Sequence, residues 1–132
     1  MSDNLNSIVK SFNETLIMFV SYLRTIKNSD KDLLSLQTAI YGLNKVNYKA
    51  SIEQFIILVV LDHGDKIVEH DYEYFKKLEV DFTQNKEKSM IKLLKFKEYS
   101  EELNDNSKNN IFDYLELMVI LARDYLKLKY LK

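Results

Sequence analysis

The stretch Ser51–Phe75, SIEQFIILVVLDHGDKIVEHDYEYF, decides the fold that the sequence predicts. Between Phe55 and His63, seven of nine residues are large and apolar, which is typical of a helix buried on several sides. Ser51 and Gln54 have the spacing of a capping box, so a helix is expected to begin here. The stretch therefore predicts a central hydrophobic helix over about residues 49–63, which Gly64 is expected to kink or end.

The rest of the chain also has helical periodicity, with apolar residues at steps of three and four. The absence of proline and the presence of only two glycines leave little to interrupt helices. We expect a compact all-α bundle of five to six helices around the central helix, in a single domain over residues 1–132. The expected helices are about 3–27, 30–43 (ending at Gly42 or Asn44), the central helix, a short one reaching Leu78, 86–103 and 107–128. The short helix is expected either to be capped by Asp71 or to be continuous with the central helix.

Composition narrows the classes of protein that the chain can belong to. A formal net charge of −1 provides no overall field that would recruit nucleic acid or an acidic membrane. The absence of cysteine removes disulfides, thiol catalysis and thiolate metal sites. The longest apolar run, Phe55–Leu61, is far shorter than the roughly 20 residues of a membrane helix, and the N-terminus lacks a signal peptide. We expect no membrane insertion and no secretion by a signal peptide.

The two histidines, His63 and His70, are seven residues apart and would share one face of an unbroken helix. Val60 and Ile67 occupy the positions where a Glu-x-x-His metal motif needs glutamate. A solvated acidic helix face is the commoner explanation for the carboxylates nearby. We therefore predict no metal site, no cofactor and no catalytic residues, and we expect that the protein is not an enzyme.

Aromatic residues cluster beside the predicted loop that follows the central stretch. Tyrosines at alternating positions cannot all face inward on one helix, and exposed tyrosine is a common interface anchor. The alternative is that each ring belongs to the core. We predict a protein-interaction surface formed by Tyr72, Tyr74, Phe75 and Phe82.

The segment 86–97 is rich in lysine and has Glu87 as its one acidic residue. Such a face could contact phosphates, although it lacks arginine for reading bases and interleaved aromatics for stacking. A solvated face whose lysine stems cover apolar neighbours is the competing interpretation. Nucleic-acid association through Lys88, Lys92 and Lys95 is therefore the alternative function.

Four features between Phe55 and Ala122 together carry a family resemblance. They are Phe55 early in the central helix, Ile67, the block Asp71–Phe75 (DYEYF) and the closing run Ile111–Ala122 (IFDYLELMVILA). With them the chain resembles small all-helical proteins of nucleocytoplasmic large DNA viruses of protists and algae. It departs from them at His70, Tyr72 and Tyr74, where the family has Arg, Glu and Phe.

The resemblance implies a viral protein made in the cytoplasm of an infected host, with no catalytic role to carry over. Abundant Lys, Asn and Ile agree with an AT-rich genome. The residues and the resemblance together lead to one functional hypothesis. We expect a non-enzymatic helical interaction or structural protein, a component of the virion or virus factory, which contacts a protein partner or itself in the host cytoplasm or the virion.

Overall fold

The computed structural model describes residues 2–26, 31–71, 73–74 and 105–130. Within them the chain forms four helices: α1 (Ser2–Ile26), α2 (Lys31–Val46), α3 (residues 50–68) and α4 (Asp105–Tyr130). These residues include no β-strand, so the predicted all-α class is confirmed. The helix expected over about 86–103 lies outside the described residues.

The two longest helices, α1 and α4, pack against each other more extensively than any other pair of described helices. The buried apolar residues of each helix recur at steps of three and four, which places them on one face of a helix with 3.6 residues per turn. Asn110, near the start of α4, donates a hydrogen bond to the hydroxyl of Tyr22, near the end of α1, so the two helices are antiparallel. The facing side chains are at most 2% exposed: Val9, Phe12, Leu16, Phe19 and Leu23 of α1, and Ile111, Leu115, Met118, Ala122 and Tyr125 of α4.

Helix α2 joins the core mainly through Ile40, which is buried, with Leu36 half-buried beside it. Polar contacts attach it to α1: the guanidinium of Arg24 donates to Oε1 of Gln37 at 2.5 Å, and Nε2 of Gln37 donates to Oγ of Ser21 at 3.1 Å. The predicted end of this helix at Gly42 or Asn44 is wrong, because α2 continues to Val46. A glycine in the last turns of a helix need not be its cap.

The predicted capping box at the start of α3 is wrong. The residue that caps this helix is Lys49, which makes no side-chain capping bond. The hydroxyl of Ser51 instead donates to Oδ1 of Asn44 at 2.7 Å, so it ties the start of α3 to the last turns of α2. For the buried Ser51, a tertiary partner has displaced the local hydrogen bond that the spacing alone favours.

Helix α3 is continuous through three segments, Ala50–Phe55, a π-helical Ile56–Val60, and Leu61–Val68. The backbone N–H of Leu61 donates to the carbonyl of Ile56, five residues back, which is the π-helical pattern. The helix runs through Gly64, so the expected end at that residue is wrong. Among the described residues α3 buries one side only, and its position at the centre of the bundle stays a prediction.

A Schellman-type turn ends α3. The N–H of His70 donates to the carbonyl of Ile67, and the N–H of Asp71 donates to the carbonyl of Lys66, both at 3.0 Å. His70 takes the left-handed conformation, with φ of 56°, at the position where glycine is usual. Oδ1 of Asp71 then accepts the N–H of Tyr74 at 3.1 Å, which confirms the predicted cap at Asp71.

The two glycines provide a matched pair of stability measurements. A Cβ at Gly42 meets nothing within 4 Å, so Gly42→Ala should raise the free energy of unfolding by about 0.5–1 kcal/mol, the usual helical preference for alanine. A Cβ at Gly64 would stand 2.8 Å from the guanidinium of Arg123 and displace it from Asp65. Losing that exposed ion pair costs up to about 1 kcal/mol, so Gly64→Ala should gain less than Gly42→Ala or nothing. Urea denaturation compares the two, and an equal gain at both positions would contradict the close approach at Gly64.

Candidate functional site along the seam between α3 and α4

Polar side chains link α3 to α4 at three levels, along what we call the seam. Their order shows that the helices are antiparallel, because residue numbers rise along α3 as they fall along α4. The interior between these levels is apolar, with Val59 and Val119 buried. The linked groups are Glu53 with Tyr125 and Lys129, Asp65 with Arg123, and His70 with Glu116 and Asp113.

At the first level, Glu53 is the acceptor of two strong hydrogen bonds. Its Oε2 lies 2.6 Å from both the hydroxyl of Tyr125 and Nζ of Lys129. The bond from Lys129, followed by the one from Tyr125, lowers the pKa of Glu53. The pKa of Lys129 is raised, first by the bond to Glu53, and that of Tyr125 is raised, first by burial and then by Glu53.

This cluster is suited to holding helices together rather than to moving protons. Each shift favours the protonation state that the group already has near neutral pH, whereas acid–base chemistry needs pKa values close to the working pH. A groove of about 280 Å³ adjoins the cluster, with Ile56, Ile57 and Leu126 among its walls. The cluster therefore fixes the angle at which the C-terminal half of α4 meets α3.

At the other end of the seam, His70 faces two carboxylates of α4. Its Nε2 lies 3.2 Å from Oε2 of Glu116 and 3.9 Å from Oδ1 of Asp113. The imidazole stacks on the ring of Phe112, with centroids 5.4 Å apart and planes 24° apart. The sequence analysis missed these partners, because 43 and 46 residues separate them from His70 and no local pattern joins them.

The two histidines do not share a helix face, so the arrangement that the sequence pattern suggested is wrong. His63 is 7% exposed within α3, whereas His70 follows the end of that helix. Nδ1 of His63 lies 2.8 Å from the hydroxyl of Tyr74. Burial lowers the pKa of His63, against the opposing effect of Asp62, so the imidazole is held in its neutral form.

Among the predicted interface residues, the structure describes the side chain of Tyr74 alone. Tyr74 is partly buried against the core, its hydroxyl meets His63, and Nζ of Lys66 lies 5.7 Å from its ring centroid. The ring therefore has an intramolecular role, whatever else it contacts. The side chains of Tyr72, Phe75, Phe82, Lys88, Lys92 and Lys95 lie outside the described residues.

A surface that the sequence analysis did not predict lies on the outer side of α3. Ile57, Leu58 and Leu61 are 64%, 40% and 66% exposed, and we call these three residues the apolar strip. Exposed acidic side chains follow it along the helix, at Asp62, Asp65 and Glu69. The density of apolar residues predicted burial on every side, so it concealed the fact that one side faces outward.

The lowered pKa of His63 has a consequence for stability in mild acid. The unfolded chain, in which the histidine pKa is near 6.5, binds this proton more readily than the folded chain does. The contribution of neutral His63 to the free energy of unfolding is thus present above about pH 6.5 and is lost progressively as the pH falls below that value. We expect the free energy of unfolding to decrease over this range, as measured by urea denaturation at each pH.

His63→Gln should remove this decrease, because glutamine does not titrate. His70→Asn is the matched control: it removes the other histidine, suits the left-handed backbone, and should keep the decrease. Measurements stay well above pH 4.5, the ordinary pKa of glutamate, because the lowered pKa of Glu53 affects stability near and below that value. The same pH dependence in His63→Gln and in the unsubstituted protein would contradict this role of His63.

Comparison with protein-family models, with curated proteins and with solved structures finds no match to this chain. The viral resemblance described above is therefore a prediction from sequence features alone. In the part of the chain that the structure describes, no helix combines the length and the apolar character needed to cross a membrane.

Proposed function

We propose that the protein is a non-enzymatic helical interaction protein that associates with a second copy of itself through the apolar strip of α3. The observation that carries this proposal is the exposure of Ile57, Leu58 and Leu61 side by side on one helix. Clustered apolar side chains at a surface favour a protein contact. Burying a fully exposed large apolar side chain stabilises by about 1.5–3 kcal/mol. The three residues of the strip are about half exposed on average, so covering each of them would contribute roughly half of that amount.

The charges around the strip favour an antiparallel contact between two α3 helices. Glu69 and Lys49 each lie ten residues from Val59, the buried residue at the same level along α3 as the middle of the strip. A contact centred there places Glu69 of one copy opposite Lys49 of the other, beside the positive N-terminal end of that α3. The acidic end of each helix then meets the basic end of its neighbour, and like charges stay apart.

Two existing contacts leave these groups available. Glu69 has a 3.6 Å ion pair with Lys66, three residues earlier, and Lys49 lies over the ring of Tyr48 at 5.8 Å. Both are surface interactions of small net energy, so an exchange of partner costs little. The apolar strip would supply most of the binding energy, and the charges would set the orientation.

The wider context also belongs to this proposal. We propose that the whole chain is one domain of five to six helices around α3. We also propose that Tyr72, Phe75 and Phe82, together with Tyr74, form a second part of the protein-contact surface beside the apolar strip. The resemblance of the sequence supports a structural role in a virion or virus factory within the host cytoplasm. Nucleic-acid association through Lys88, Lys92 and Lys95 stays the alternative.

Sedimentation velocity over a range of protein concentrations tests the contact. The unsubstituted protein should self-associate, and Ile57→Ser with Leu61→Ser should weaken that association by about 1–3 kcal/mol, the range found for buried anchors. Leu34→Ser, at a residue 49% exposed on α2, is the matched control and should leave association unchanged. In addition, Lys49→Glu should weaken association, and Glu69→Lys in the same chain should restore it.

Two results would contradict the proposal. One is a monomer at every concentration. The other is a fall in the free energy of unfolding of the monomeric double variant by as much as a core substitution costs, about 2–5 kcal/mol. That fall would mean that the strip is covered within a single chain. A salt-sensitive complex with DNA or RNA, lost on reversing Lys92 and Lys95 to Glu, would favour the alternative instead.

A further inference from the structure

We infer that His70, Asp113 and Glu116 form a binding site for a divalent transition-metal ion of the zinc or manganese type. The inference is independent of the proposed self-association, because it uses the end of the seam rather than the outer side of α3. It revises the expectation that His70 has no ligand role. That expectation considered only the residues close to His70 in sequence.

The donor atoms are close enough to share one ion. One nitrogen of His70 and one carboxylate oxygen each from Asp113 and Glu116 lie within 4.8 Å of one another. Zinc binds nitrogen and oxygen at about 2.0–2.2 Å, so neighbouring ligands of one ion stand roughly 3–3.5 Å apart. The 3.2 Å between His70 and Glu116 already fits, and the 3.9 Å to Asp113 needs a small side-chain rotation. Asp113, with a side chain 67% exposed, is free to make it.

The fold holds the imidazole in place before any ion arrives. The Schellman-type turn fixes the backbone of His70, and stacking on Phe112 fixes the plane of its ring. Asp113 and Glu116 are three residues apart on α4 and therefore project from the same face of that helix. A bound ion would join the end of α3 to α4 without a rearrangement of either helix.

Charge also favours a cation here. Two carboxylates face one imidazole, so acidic groups outnumber the basic one in this cluster. Lys66 does not neutralise it, since its amine pairs with Glu69 and Asp71 instead, at 3.6 and 3.8 Å. One nitrogen with two oxygens suits zinc, manganese or iron(II) better than magnesium or calcium, which prefer oxygen ligands alone.

Isothermal titration calorimetry of the full chain with zinc chloride, and separately with manganese chloride, tests the site. We expect one ion per chain. His70→Asn and Glu116→Gln should each weaken binding by about a hundredfold or more, since losing even a hydrogen-bond partner of a ligand costs about 10–100-fold. Asp113→Asn should also weaken it, and this exposed residue can be changed without disturbing the core.

Two control variants remove a carboxylate and an imidazole that lie outside the cluster. They are Asp124→Asn, at an exposed residue of α4, and His63→Gln. Both should leave the affinity unchanged. Cobalt(II) in place of zinc should give an absorption spectrum from the bound ion, and this spectrum should be lost in His70→Asn. If the variant is still folded, the loss shows that His70 is a ligand and not merely a structural residue. The absence of one-to-one binding, or binding that survives His70→Asn and Asp113→Asn, would overturn the inference.

Discussion

The rest of the structure depends on the antiparallel packing of α1 against α4. Each helix presents a stripe of large apolar side chains at steps of three and four, and the two stripes bury each other almost completely. Aromatic contacts reinforce the pairing at one end, where Tyr114 packs against Phe19 and Tyr22. Near the middle of α1, Phe12 packs against Phe55 of α3, with ring centroids 5.3 Å apart, so α3 contacts the paired helices through aromatic rings as well.

Helix α3 packs on this pair and contributes both to the core and to the exposed surface. Its inner side completes the core, and its seam with α4 is closed by Glu53 at one end and His70 at the other. The two ends differ in chemistry. At Glu53 every charge has a close partner, whereas at His70 two carboxylates compete for one imidazole. This asymmetry is why the first level is a structural clamp and the last one is the candidate for an ion.

The sequence predicted those parts of the fold that local periodicity determines. The apolar steps of α1 and α4 specified both helices and their buried faces, because a helix of 3.6 residues per turn converts spacing directly into a face. The predicted end of α2 was wrong. The start of α3 was predicted correctly, but its capping box was wrong because Ser51 bonds to Asn44 instead. The apolar composition also predicted burial of Ile57 and Leu61, which are exposed, because apolar character does not reveal whether another part of the protein covers a residue.

The candidate sites were less accessible from sequence. The contacts of Glu53 with Lys129 and of His70 with Glu116 join residues far apart in the chain, and only the antiparallel order of α3 and α4 brings them together. His63 and His70 looked equivalent at a spacing of seven, yet one is buried and the other closes a turn. Such differences arise where the helix ends, which spacing alone did not locate.

Native-state hydrogen exchange tests the dependence on α1 and α4 most directly. If their packing holds the fold together, the central amides of both helices should exchange only through global unfolding, with one shared free energy. Amides of α2, whose described side chains bury little beyond Ile40, should exchange at a lower free energy. The central claim would be contradicted if α1 and α4 exchanged at clearly different free energies, or if α2 proved to be the most protected helix.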